Sequence, residues 1–429
     1  MIVIRIGICV LAAFAVLAHG AVEPWSESVL EIGAAALLAW WGILQAAGMG
    51  PSVRRNWLFV PLAGFWLWGT TQYFAGITAS PYLTRIEWLK LSALLVLFFL
   101  AIQAFAAVEH WRGLVWFLLV LGFAVSVLGI LQHFTFNGKL YWFRELRYGG
   151  IPFGPYVNRN HFAGLMELII PAGLAVLLLR ADKRDHLPMV LILTLLPLGA
   201  LFLSASRGGM IGMVLEFGLV MTLVFLRRRG RHQLAAVAIV MLLAGGLVAW
   251  LGVGGALDRF ASLRQLEVSE SRRGEMLRDS WRIFVDHPVN GIGLGALPEV
   301  FPRYETLYDG NVVQHTHNDY VEALAETGII GALCGVVFLL LLAWSSWARL
   351  VRAADSADLA YHIGAVAACA GLLVHSLVDF NLHIPSNALI FLLQCALATS
   401  LLPSHRPVPV LTDTPKAFRT RVAVAEDSI

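Results

Sequence analysis

Imidazoles, carboxylates, amides and a phenol crowd one short stretch, Gln314-His315-Thr316-His317-Asn318-Asp319-Tyr320-Val321-Glu322, which opens a long apolar segment. A neutral histidine at a membrane–water boundary can take a proton near pH 7, so His317 is a candidate general base. Asn318 and Tyr320 are candidate substrate contacts beside it. His315 and His317 could suggest a metal, but a one-residue gap with no other donors nearby is poor ligand spacing; neither a metal nor a cofactor is expected. The cationic chemistry comes from arginine. In Ser204-Ala205-Ser206-Arg207-Gly208-Gly209 a guanidinium sits on a tight turn between two apolar helices. A charge near the bilayer centre costs about 2.5–3.5 kcal/mol, and such residues usually serve a site. Arg207 either grips an anionic substrate or snorkels to the interface. In Ser271-Arg272-Arg273-Gly274-Glu275-Met276-Leu277-Arg278-Asp279-Ser280-Trp281-Arg282, a helix would set Arg278 and Arg282 one turn apart, and likewise Leu277 and Trp281. That pattern predicts an amphipathic helix on the membrane surface. Its arginines serve either general attraction to anionic lipid or, through Arg272, Arg273 and Arg278, a bidentate clamp on phosphate oxygens.

Two more polar clusters accompany these. Asn158-Arg159-Asn160-His161 opens one apolar run, and His375, Asp379, Asn381 and His383 surround the end of another. They either bond neighbouring helices or line an acceptor groove; Arg159, Asn160, His161, Asp379 and His383 are the candidates for the groove. Gly291-Ile292-Gly293 resembles a nucleotide-binding glycine signature, but that signature needs a βαβ unit and none is available. A sharp turn ending the surface helix is expected instead. Cys9, Cys334, Cys369 and Cys395 all lie in apolar runs without ligand or disulfide spacing, and fit as small packing residues.

Elements that could position these groups follow from composition. Of the 429 residues, 58% are hydrophobic and only 14% charged, where a soluble domain carries roughly 25% charged residues. The apolar runs are continuous rather than alternating, which predicts an all-α polytopic membrane protein rather than a β-barrel. The expected spans are 2–19, 29–47, 56–75, 86–108, 112–134, 161–180, 187–205, 207–226, 233–254, 318–344, 358–379 and 385–403. The first could pass for a cleaved signal peptide, yet its basic region is a single Arg5, so an uncleaved helix is expected. Lys and Arg crowd alternate short loops (Arg54 and Arg55; Arg180, Lys183 and Arg184; Arg227 to Arg231; Arg349 and Arg352), which puts both termini in the cytoplasm. The division is then 1–254, nine helices with an outer loop at about 135–160; 255–316, a large periplasmic loop with the amphipathic helix; 317–403, three helices; and 404–429, a disordered cytoplasmic tail.

The order of these pieces resembles the O-antigen ligase and polymerase family of bacterial membrane glycosyltransferases. The matching residues are Asn158-x-Asn160-x-Phe162-Ala163, Ser206-Arg207-Gly208, Arg273-x-x-x-Leu277, Asp286-His287-Pro288-x-x-Gly291-x-Gly293-x-Gly295, and His317-Asn318-x-Tyr320 with Glu326, Gly328 and Gly331. The family often has a bulky aromatic where Leu277 stands, and Arg272 doubles the motif arginine. The resemblance implies an inner-membrane enzyme using an undecaprenyl-diphosphate-linked glycan on the periplasmic face, metal-independent and inverting, with Arg207 and Arg273 on the diphosphate and His317 on the acceptor hydroxyl. The acceptor would be another lipid-linked glycan, as in a polymerase, or lipid A–core, as in a ligase. Asp379-Phe380-Asn381-Leu382-His383-Ile384-Pro385 tilts towards polymerase. Membrane lipid and other polysaccharide-assembly proteins are further expected partners; nucleic acid is not. From another class, a lipid or polysaccharide transporter would place ionisable residues mid-span along a path.

Overall fold

The computed structural model describes residues 1–146, 151–227, 267–308, 310, 312–352 and 356–400. Helices stand at eleven of the twelve expected span positions: α1 (Ile2–Leu17), α2 (Pro24–Ala46), α3 (Phe59–Phe74), α4 (Pro81–Ala104), α5 (Val108–Phe134), α6 (Arg159–Leu179), α7 (Leu187–Leu203), α8 (Arg207–Arg227), then, after the surface elements α9 (Glu267–Asp286) and α10 (Leu297–Val300), α11 (Asp319–Arg352), α12 (Ser356–His375) and α13 (Pro385–Thr399). The span at 233–254, the start of the large loop at 255–266 and the tail 404–429 lie outside the described residues. Among the described residues, eight helices are long and apolar enough to cross a membrane; α1, α3 and α13 are shorter. The chain is a multi-pass, all-α membrane protein. Composition did not foretell the small β features in the 135–160 loop: a hairpin pairing Lys139–Leu140 with Arg144–Glu145, and an isolated bridge between Phe153 and Tyr156.

Helix starts explain where the expected boundaries slip. Pro24, Pro81 and Pro385 take first-turn positions, where the missing N–H costs nothing. Glu23 and Ser26 form a capping box that starts α2 five residues ahead of the predicted 29. Asn158 caps α6 by accepting from Asn160 N, and Asn318 caps α11 by accepting from the N–H groups of Tyr320 and Val321. At its far end α11 runs past the predicted 344, held by an ion pair of 2.6 Å between Arg349 and Asp358 on α12.

α6 is the central element, with 94% of its most apolar window buried, as expected of a helix apolar all round. α12 packs along α6 and α8, and α13 packs beside α12. A second, smaller core of Met276, Ile283, Ile292, Leu297, Phe301, Val313 and Ala325 lies under α9. On α9, Met276, Asp279 and Ile283 face in, while Leu277, Trp281 and Val285 stand exposed on the outer face.

The glycine run after α9 is a lock rather than a nucleotide loop. Ile292 and Gly293 N–H groups donate to the Ala325 and Glu326 carbonyls, and Gly295 N donates to Glu326 Oε2 at 2.8 Å. The lock works because α11 breaks at Gly328, whose φ of 61° and ψ of −162° are open essentially to glycine. A Cβ at 328 would stand 2.2 Å from Val289 O. Gly328→Ala should therefore cost roughly 3 kcal/mol or more. Gly335 in the same helix has nothing within 4 Å of such an atom. Thermal unfolding followed by size-exclusion fluorescence should show Gly335→Ala melting like the wild type and Gly328→Ala well below it; two coincident curves would remove the lock.

Candidate functional site

At the end of the bundle where α6, α11 and α13 begin and α12 ends, Asp379 is fully buried and collects donors from three elements. Asn160 Nδ2 donates to Oδ2 at 2.5 Å, Phe380 N donates to Oδ1 at 2.9 Å, and His317 Nδ1 lies 3.3 Å from Oδ1. His161 Nε2 is 3.8 Å from the same oxygen. The Phe380 ring organises the imidazoles: His315 stacks on it at 4.3 Å, and His161 and His317 meet it edge-on at 4.7 and 4.9 Å. His317 itself adopts φ +54°, a left-handed backbone uncommon outside glycine. With Asp379 on Nδ1, its Nε2 is the nitrogen left for a substrate, and 24% of the side chain is exposed.

A second cluster adjoins the first. Asp319 Oδ1 binds His383 Nδ1 at 2.7 Å and Glu322 Oε1 binds His315 Nδ1 at 2.7 Å, with His383 Nε2 3.3 Å from the same Glu322 oxygen. Glu322 Oε2 accepts Thr316 N–H at 2.8 Å. One ligand atom each from His315, Glu322 and His383 lies within 4.8 Å of the others, so a metal could be held by this trio. His315 thus partners Glu322 and His383, not His317. Burial alone would pull His383 down, but the Glu322, Asp319 and Glu326 carboxylates outweigh it and hold the imidazolium up to about 10, against an ordinary 6.5. A raised value stabilises the fold fully below pH 6.5 and loses that contribution as pH climbs to about 10. The gap in melting temperature between wild type and His383→Gln should accordingly narrow from pH 6.5 to 10; a constant gap would rule out the ion pair.

The remaining expected residues fall around these clusters. Asn318 Nδ2 donates to Leu377 O and Tyr320 Oη to Leu373 O, so both tie the start of α11 to the end of α12 and the turn after it. Arg207 begins α8 beside the cluster: a Cβ on the next residue, Gly208, would stand 2.5 Å from His375 Nε2 and 3.2 Å from Val378 Cγ2. His375 is held from behind by Glu167 at 2.5 Å. On α9, Arg272 donates to Leu307 O at 3.1 Å and lies 3.6 Å from Glu305, and exposed Arg278 pairs with Glu275 at 2.7 Å. Arg273 is half-buried on the same helix, which packs against α11. Arg159 opens α6, its N–H donating to Ile151 O.

Sequence reasoning passed over Asp319 and Phe380. Asp319 sits beside a cap residue, where a carboxylate reads as capping, and nothing marks Phe380 as the ring that three histidines share.

With this geometry in view, the comparisons with known proteins bear on the order of the motifs. Residues 192–336 match the family model described as O-antigen ligase. That segment contains Arg207, Arg273 and His317, whereas Asn160, His161, Asp379 and His383 lie outside it. The chain is also 22% identical over 311 residues to the teichuronic acid biosynthesis protein TuaE of Bacillus subtilis (strain 168), a match covering 70% of this chain and 61% of that relative's length. Both matches are similarities to polysaccharide-assembly proteins over part of the chain, and the His317–Asp379 contact joins a residue within the matched segment to one beyond it.

Proposed function

We propose that the chain is an inner-membrane glycosyltransferase that moves a glycan from undecaprenyl diphosphate to an acceptor sugar hydroxyl during O-antigen or exopolysaccharide assembly. The observation that carries this reading is the His317–Asp379 pair beside the Arg207 turn. The acceptor oxygen attacks the anomeric carbon from the face opposite the diphosphate. The bond to the diphosphate breaks with inversion, and the hydroxyl proton passes to His317 Nε2, with Asp379 holding Nδ1–H. Arg207 and Arg273 stabilise the departing charge, a role that fixed guanidinium groups fill without a metal. The pairing of Arg272 with Glu305 and of Arg278 with Glu275 leaves these two as assistants. Asn160, His161, Arg159 and the Asp319–His383 pair form the acceptor side.

Twelve spans, cytoplasmic termini and a periplasmic site complete the proposal, with the core under α9 belonging to a loop subdomain at about 255–316. The exposed Leu277, Trp281 and Val285 edge suits a helix resting on the outer leaflet, where a lipid-linked donor would arrive.

Purified protein, given undecaprenyl-diphosphate glycan in EDTA, tests the reading. Products that lengthen on the lipid carrier make it a polymerase, the acceptor we favour; products that need added lipid A–core make it a ligase. Arg207→Gln and Arg273→Gln should each lower kcat/KM by about tenfold to a thousandfold at unchanged protein yield. Reduced yield with normal turnover would make those arginines structural, and activity lost to EDTA but restored by zinc would move the chemistry to His315, Glu322 and His383. A transporter is the second reading, favoured by the buried Glu167–His375 pair and by Glu216 deep in α8. No transfer to any acceptor, with lipid still bound, would select it.

A further inference from the structure

The opposite end of the bundle holds a second chemistry, independent of the transfer reading. There the loop before α3, the last turns of α11 and the end of α13 enclose a cavity of about 260 Å³ lined by Arg54, Arg55, Arg352, Trp57, Trp344 and Ser400, among others. α13 is 15 residues long, so this cavity lies roughly 20 Å along the bundle from Pro385 and the candidate site. Three arginines line it, and no carboxylate is among the described lining residues.

The walls are fixed by the protein itself. Gln103, buried on α4, clasps the Arg54 backbone from both sides: Arg54 N donates to its Oε1 at 2.8 Å, and its Nε2 donates to Arg54 O at 3.0 Å. Asn56 Nδ2 donates to Thr399 Oγ1 at 2.9 Å and so ties the loop to α13. Beside that bond, the Ser400 hydroxyl is buried without a hydrogen-bond partner, in a residue only 7% exposed. A buried hydroxyl of this kind costs free energy unless something in the cavity completes it. Outside, Trp57 and Trp344 are 66% and 60% exposed, as in the aromatic belt at a membrane surface.

We infer that this cavity binds a phosphate ester: the guanidinium groups of Arg54, Arg55 and Arg352 take its oxygens and the Ser400 hydroxyl donates the remaining hydrogen bond. The flanking tryptophans favour a phospholipid headgroup as the source, since acyl chains could leave along the bilayer-facing surface. A soluble phosphate compound shares the recognition chemistry.

Full-length protein in detergent, exchanged into equal phosphatidylglycerol and dioleoylglycerol, provides the test by native mass spectrometry. Wild type should retain phosphatidylglycerol at least tenfold over the uncharged lipid. The triple variant Arg54→Gln/Arg55→Gln/Arg352→Gln should lose that preference, and the milder Arg352→Gln and Ser400→Ala should each reduce it by roughly fivefold if the triple does not fold. A parallel melt in inorganic phosphate separates the sources. Stabilisation of wild type but not of the variants by phosphate, without lipid retention, supports the site with a soluble ligand. Equal retention of both lipids by wild type, with no stabilisation by phosphate, overturns the inference. So does a phosphatidylglycerol preference that persists in the variants.

Discussion

His317→Ala should lower glycan transfer by about 10²–10⁴-fold, the usual contribution of a positioned general base, while the protein still inserts and elutes as a folded species. The reason lies in the placement of one nitrogen. Asp379 meets Nδ1 at 3.3 Å and Phe380 meets the ring edge, so the imidazole is turned with Nε2 towards the open side. Alanine removes the proton acceptor without touching the Asn318 cap or the Asn160–Asp379 bond that hold the helix ends together. Transfer measured with saturating donor should fall through kcat. Near-normal kcat would assign His317 to structure and send the search for a base to His161.

Asp379→Asn should cost nearly as much, although it exchanges only an oxygen for an amide. The carboxylate accepts at both oxygens, from Asn160 at Oδ2 and from Phe380 N and His317 at Oδ1. An amide must turn its NH₂ towards one of those donors. Facing His317, it would force Nδ1 to accept, leaving Nε2 protonated and unable to take the acceptor proton. In serine proteases the corresponding exchange lowers kcat by about 10⁴-fold; here a loss of roughly 10²–10⁴-fold is expected. If the pair acts as one device, the double variant with His317→Ala will be no worse than His317→Ala alone. Losses that multiply would show Asp379 acting elsewhere, for instance through Asn160.

Periodicity and charge made the helices legible because lipid leaves the backbone few alternatives, and because each crossing needs a long apolar run. The runs at 86–108 and 112–134 became α4 and α5 with shifted edges, since Pro81 fixes a start that hydropathy does not register. The members of the candidate cluster were legible where polarity is anomalous for a membrane helix, as at His317, Asn160 and Asp379, which meet in the structure. Their roles were less so. Asn318 and Tyr320 look like substrate contacts in sequence, which does not tell that their side chains also donate to the Leu377 and Leu373 carbonyls. Arg272 and Arg273 are indistinguishable as letters, and only the contacts of Arg272 with Leu307 and Glu305 separate them. The separation of 208 positions between Glu167 and His375 hides their bond altogether, as no local pattern encodes a partner on another helix.

The left-handed turn at His317 has a bearing on what limits this protein's stability. A side chain there carries a conformational cost of about 1–2 kcal/mol that glycine would not. The backbone is kept in place from both sides, by the Thr316 hydroxyl donating to Asn318 O and by Asp319 N–H donating to Ser376 O. A sequence tuned for thermal endurance alone would put glycine at 317 and, on the proposed role of His317, lose its base. Durability and turnover therefore compete at a single residue, and ancestors or engineered variants that gain heat resistance through position 317 should do so as inert proteins.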